Sequence, residues 1–211
     1  MPFNGDIADL FAQALGRKDQ QPNIDLAKKL AKSGTNDDVI ELLEYCKFGK
    51  KAQKSDAIKV IYELAQLRPS LVAPYIQNLI DLLATKNNRM IWGILQAINA
   101  LADENPEVII KNLNLILQAS DRSSVIAKDN LMAILAKLNQ KPRFKKLLTP
   151  VILQRLEHSA PNQFPTYAQL IAPTIEKESK EVLMQIILER RKSISSIAKL
   201  KRLDKTLREL Q

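Results

Sequence analysis

Most site chemistry is missing from the sequence. The 211 residues hold one Cys, one His and one Trp, and a lone thiol has no intramolecular disulfide partner. Five glycines, standing singly, build no phosphate-cradling loop, and the P-loop, dinucleotide, H-E-x-x-H and C-x-x-C patterns are all absent. No apolar run approaches the ~18 residues of a membrane span, and the first twenty residues, with Asp6 and Asp9, lack a secretory pattern. These absences lead to the expectation of a cytoplasmic protein that is not an enzyme and needs no cofactor or metal. With 45% hydrophobic residues and ten prolines, the collagen-like, disulfide-scaffold and wholly disordered classes are excluded as well.

What is present is a repeat. Ile61–Pro69 (IYELAQLRP) is followed 37 residues on by Ile98–Pro106 (INALADENP), and 36 further by Ile134–Pro142 (ILAKLNQKP). Each reads as the end of an apolar helix with a proline behind it. Ile24–Lys32 and Ile171–Ser179 continue the step without the proline, and Pro173 predicts a kink or restart there. A second helix follows each break: Val39-Ile40-x-Leu42-Leu43, Ile76 to Leu83, Leu113 to Leu117, Leu147 to Leu153 and Val182 to Leu188. Their apolar residues recur at three and four, which is helical spacing. A pair of ~15-residue helices cannot bury its apolar faces alone, so neighbours must stack. The expected chain is all-α and a single domain: an N-terminal cap over 1–23 with a short amphipathic helix over 6–15, five helix pairs over 24–190 and a basic amphipathic helix over 191–211. The polar connections are expected at Lys47–Ser55, Thr85–Arg89, Ser120–Ser124 and Ser159–Pro165.

This pattern resembles the HEAT-repeat family of α-solenoids, armadillo-like in kind. Asp56–Ile110, with KNNRMIWGILQAINALADENPE inside it, is similar to small bacterial HEAT-repeat proteins. The resemblance spans about four fifths of the chain. It implies a right-handed α-α superhelix and a protein-binding scaffold. One basic group of HEAT-like proteins comprises alkylated-DNA glycosylases, which set an Asp one helical turn after a Trp. Here Gln96 follows Trp92 at that distance and no second Trp exists, which counts against that activity.

The remaining reactive residues read as structural. His158 suits a helix C-terminus, and Cys46 suits packing, although neighbouring lysines favour a thiolate. Trp92 reads as a core residue beside a Gly93 that lets helices approach, with a partner anchor as the alternative.

For binding, the second helices are expected to line a concave face. Their polar sides offer Gln77, Asn78 and Asp81, then Lys111, Asn112, Asn114 and Gln118. Further along stand Lys145, Lys146, Gln154 and Arg155. Amides suit an extended peptide, being donor and acceptor at once, so a protein or peptide is the leading partner. Nucleic acid is the alternative, because the net charge is +9. That charge is uneven: 134–170 carry +5 and 190–211 carry +6, while 98–133 and 171–189 carry −2 each. One basic cluster is Lys47, Lys50, Lys51 and Lys54. The other is Arg190, Arg191, Lys192, Lys199, Lys201, Arg202, Lys205 and Arg208. The tail stripe Ile194, Ile197, Leu200, Leu203, Leu207 and Leu210 leaves three roles open: a cap on the last pair, a partner helix, or a seat on an anionic surface. No oligomeric state is assigned.

Overall fold

Every regular element in the computed structural model, which describes residues 6–211, is helical. Residues 1–5 of the expected N-terminal cap lie outside the described residues. The cap proves to be a 3-10 turn, Ile7–Leu10, and not the longer helix expected over 6–15. Then come α1 (Gln21–Ser33), α2 (Asn36–Phe48) and α3 (Lys51–Leu67). The second helix of the next pair is broken into α4 (Pro69–Val72), a 3-10 turn at Ala73–Tyr75 and α5 (Ile76–Asp81), with another 3-10 turn at Leu82–Ala84. Next are α6 (Asn88–Ala100), α7 (Pro106–Lys111), α8 (Leu113–Asp121), α9 (Val125–Asn139) and α10 (Pro142–Glu157). The chain ends with α11 (Phe164–Ile171), a 3-10 turn at Ala172–Thr174, α12 (Lys177–Arg191) and α13 (Ile197–Leu210).

The three turn prolines act as starters. Pro69, Pro106 and Pro142 each open the second helix of their pair, where a missing N–H costs nothing because no intrahelical partner exists. Pro173 sits in the 3-10 turn that ends α11, as its position predicted. Two second helices are shorter than expected because they are interrupted. Pro74 stands in the first break. At the second, the Asn112 amide donates 2.8 Å back to the Val108 carbonyl, a local bond that competes with the helical ladder. The expected linker Lys47–Ser55 is also corrected: only Gly49 and Lys50 are non-helical, so Lys51 and Lys54 stand on the first turn of α3.

The fold divides into two compact units, the first ending at Leu131 and the second running from Met132 to Gln211. In the first unit α3 packs directly on both α1 and α6, and Ala57, Ile58, Val60, Ile61 and Leu64 of α3 are fully or almost fully buried. The second helices α2, α5 and α8 stand further apart. Within the first unit the first helices are thus the tight layer and the second helices the open one.

Gly93 explains part of this closeness. A Cβ there would lie 2.8 Å from Cγ1 and 3.3 Å from Cγ2 of the buried Ile58, well inside van der Waals contact. Gly93→Ala is expected to lower stability by about 1–3 kcal/mol, read from urea denaturation. Ile58→Ala removes both contacting carbons, so the double variant should lose less than the sum of the two single changes.

Candidate functional site

The open layer of the first unit gathers several of the residues named from sequence. Asn78, Asp81 and Leu82 line a cleft of ≈160 Å³ with Leu43, Glu44 and Lys47 of α2. The two leucines supply apolar lining between a pair of carboxylates, an amide and an ammonium. Beside the cleft, the Gln77 amide donates 2.8 Å to Asp81. Asn112 donates 3.0 Å to the Gln77 carbonyl oxygen, and Gln77 answers at 3.5 Å. Two amides from successive repeats thus hold each other in place. Lys111, Asn114 and Gln118 are exposed on α7 and α8.

In the second unit, Lys145 reaches Glu176 at 3.7 Å, Lys146 and Gln154 are exposed, and Arg155 is half-buried.

Several cations of the two basic clusters make intramolecular contacts. Lys54 donates 2.8 Å to the Lys47 carbonyl, and the Lys47 ammonium sits 4.9 Å from the Phe48 ring centroid. Lys50 uses its backbone N–H on the Gln53 side chain, and Lys51 is exposed. In the tail, Arg190 donates to the Glu157 and Ser159 carbonyls and lies over Phe164. Arg191 pairs with Asp204 at 2.9 Å, Lys192 with Glu189 at 2.5 Å, and Lys205 with Glu209 at 3.7 Å. Lys199 donates to Asn162 and Arg202 to Thr166, while Lys201 and Arg208 are exposed. The Arg191–Asp204 and Arg202–Thr166 bonds tie α13 to α12 and α11, with Leu203, Thr206 and Leu210 buried beneath it. Ile197, read as part of that stripe, is instead 72% exposed.

The single-copy residues behave structurally. Cys46 is buried, and burial pushes its thiol above the ordinary range, with the Lys54 charge acting in the opposite direction. His158 ends α10, its Nδ1 2.8 Å from the Gln154 carbonyl. Trp92, expected in the core, is only half-buried on the first-helix layer. Its ring lies 5.8 Å from Tyr62 and 5.0 Å from the Arg89 guanidinium. Lys59 extends the stack, 4.6 Å from Tyr62 and 2.5 Å from Glu63.

Two buried polar arrangements were not read from sequence. Asn23 donates 2.9 Å to the buried Asp56 carboxylate, which also takes the Gln13 N–H, while the Asn23 oxygen takes the Ala12 N–H. The N-terminal turn is thereby tied to α1 and α3. The only sequence signal was a polar residue just ahead of the apolar stretch of each helix, Asn23 before Ile24 and Asp56 before Ala57. On α2, Glu41 accepts the Ile7 N–H and the Tyr45 hydroxyl donates 2.7 Å to Asp6.

With the helices and these surfaces in place, comparison with known proteins is informative. A solved designed armadillo repeat protein, YIII(Dq)4CqI, matches 95% of this chain over 98% of its own length, at TM-score 0.61 and 18% identity. The fold is an armadillo-like helical repeat. The all-α solenoid class expected from the 37-residue step is the observed one. No protein-family model and no curated protein matches the sequence. Among the described residues, no helix is long and apolar enough to cross a membrane.

The Tyr45–Asp6 bond gives a pH signature. Tyr45 holds the Asp6 carboxyl below its usual range, helped by the Ala8 N–H, and Asp6 raises the Tyr45 hydroxyl to about 12. The Asp6 contribution is present above its ordinary value and disappears as pH falls through the lowered one. The Tyr45 contribution is complete below its ordinary 10.0 and is lost as pH climbs toward about 12. Tyr45→Phe should cost about 1 kcal/mol at neutral pH and flatten the alkaline limb of a melting-temperature profile between those values.

Proposed function

We propose that this protein is a non-enzymatic HEAT- or armadillo-type scaffold of the cytoplasm that binds a protein partner. The observation that carries the reading is the cleft between α2 and α5, where Asn78 and Asp81 meet Glu44 and Lys47 above Leu43 and Leu82. Polar groups that can donate and accept, set around an apolar base, suit a peptide segment that needs both kinds of contact. The Gln77–Asn112 pair continues the surface onto the next repeat, as an extended segment would require. Lys111, Asn114 and Gln118 lie along the same layer; Lys145, Lys146 and Arg155 are the corresponding candidates in the second unit.

Affinity capture from cell extract, followed by mass spectrometry, tests this. Asn78→Ala with Asp81→Ala should abolish recovery of a partner retained by the wild type, with the melting temperature unchanged. Recovery unaffected by that change but lost with Trp92→Ala would move the binding surface to the first-helix layer and overturn the cleft.

The nucleic-acid alternative draws on Lys47, Lys50, Lys51 and Lys54 and on the tail cations. Its support is reduced by the intramolecular bonds of Lys54, Arg190, Arg191, Lys192 and Arg202. Titrating duplex DNA at two salt concentrations separates the two. The scaffold reading expects no binding at physiological salt, whereas genuine phosphate contacts would give a log–log slope of about −0.9 per contact.

A further inference from the structure

We propose that the outward sides of α10 and α12 form a self-association face whose partner is a second copy of this chain. The inference uses the second unit alone and does not depend on the cleft between α2 and α5. The two helices are neighbours running the same way. Lys145 and Glu176 join their N-terminal ends at 3.7 Å, and Arg190 of α12 donates to the Glu157 and Ser159 carbonyls at the far end of α10. Their buried stripes correspond at a step of 35 residues: Leu148 and Ile152 on α10 match Leu183 and Ile187 on α12.

At that same step the outward residues are also related. Leu147 and Val182 are equivalent, and both are about half exposed, 50% and 47%. They make a small apolar strip crossing from one helix to the next. The flanking positions are equivalent too, but opposite in charge. Exposed Arg143 and Lys146 on α10 correspond to exposed Glu178 and Glu181 on α12.

That inversion selects the occupant. A half-turn about an axis parallel to the two helices and midway between them lays α10 of one copy on α12 of the other. Leu147 then meets Val182, and Arg143 and Lys146 meet Glu178 and Glu181, twice over. An isologous interface requires such self-complementarity. A partner of one charge sign would be attracted by one helix and repelled by the other. Two helices of this length, side by side, offer a footprint of about 500 Å² per copy. That is small for a specific interface, so the dimer should be concentration-dependent.

Sedimentation velocity over a concentration series tests this on the full chain. Wild type should shift from monomer to dimer, and Leu147→Glu should weaken association about tenfold or more. Arg143→Glu with Lys146→Glu makes both helices acidic; Glu178→Lys with Glu181→Lys makes both basic. Each double variant should stay monomeric alone, and an equimolar mixture should form dimers again. Circular dichroism melting confirms that each variant is folded; Lys146→Gln and Glu181→Gln replace any that is not. Wild type monomeric at every concentration, a dimer indifferent to both charge variants, or a mixture that fails to associate would each overturn the proposal.

Discussion

Carbonyls at the end of one segment are answered by a guanidinium from the next repeat, and the register of the stack depends on this exchange. Arg68 donates 3.1 Å to the Gly34 carbonyl, Arg122 donates to the Leu83 carbonyl, and Arg190 donates to those of Glu157 and Ser159. The last carbonyls of a helix have no intrahelical partner, and a cation there also complements the helix dipole. Apolar stacking alone is non-directional and would tolerate sliding. Within each unit, a guanidinium bonded to particular carbonyls fixes how far its repeat advances on the one before. Where α10 and α12 are held level in this way, their surface residues acquire a defined relation to one another.

A second set of polar contacts closes the first unit at its N-terminal side. The Asn23–Asp56 pair lies among apolar side chains, and its polar atoms are bonded by backbone N–H groups, the Gln20 side chain and each other. Such a satisfied buried network specifies one arrangement, because any displacement leaves a desolvated carboxylate without donors. Arg89 spans further, donating to Ser55 and to Gln20 and so touching the beginnings of three first helices. With Gly93 letting α6 close on Ile58, the first-helix layer becomes the tight one, and the cleft opens on the opposite layer.

The repeat was fully legible in sequence because apolar spacing and helix-starting prolines are local signals. Pro69, Pro106 and Pro142 fell where helices change direction, and Leu42, Leu79, Ile116, Ile152 and Leu183 proved to be core. The second helices were less legible in rotation. Ile40, Leu147, Val182 and Leu188 read as part of the buried stripe yet are exposed. Adjacent apolar residues on a helix differ by ~100° in direction, so a doublet does not say which member faces the neighbour. The basic clusters were legible only as counted charge. Charge can be counted along a chain, whereas its neutralisation by Asp204, Glu189 or a backbone carbonyl depends on residues brought near by folding.

By itself the sequence determined that the chain is a helical repeat with almost no site chemistry, since periodicity and composition are properties of local stretches. Only the tertiary structure decided which helix layer is tight, that Gln77 and Asn112 satisfy each other, and that Leu147 and Val182 remain uncovered. Those outcomes depend on the rotation and advance of each helix pair against the next. That geometry is set by contacts between residues more than thirty positions apart.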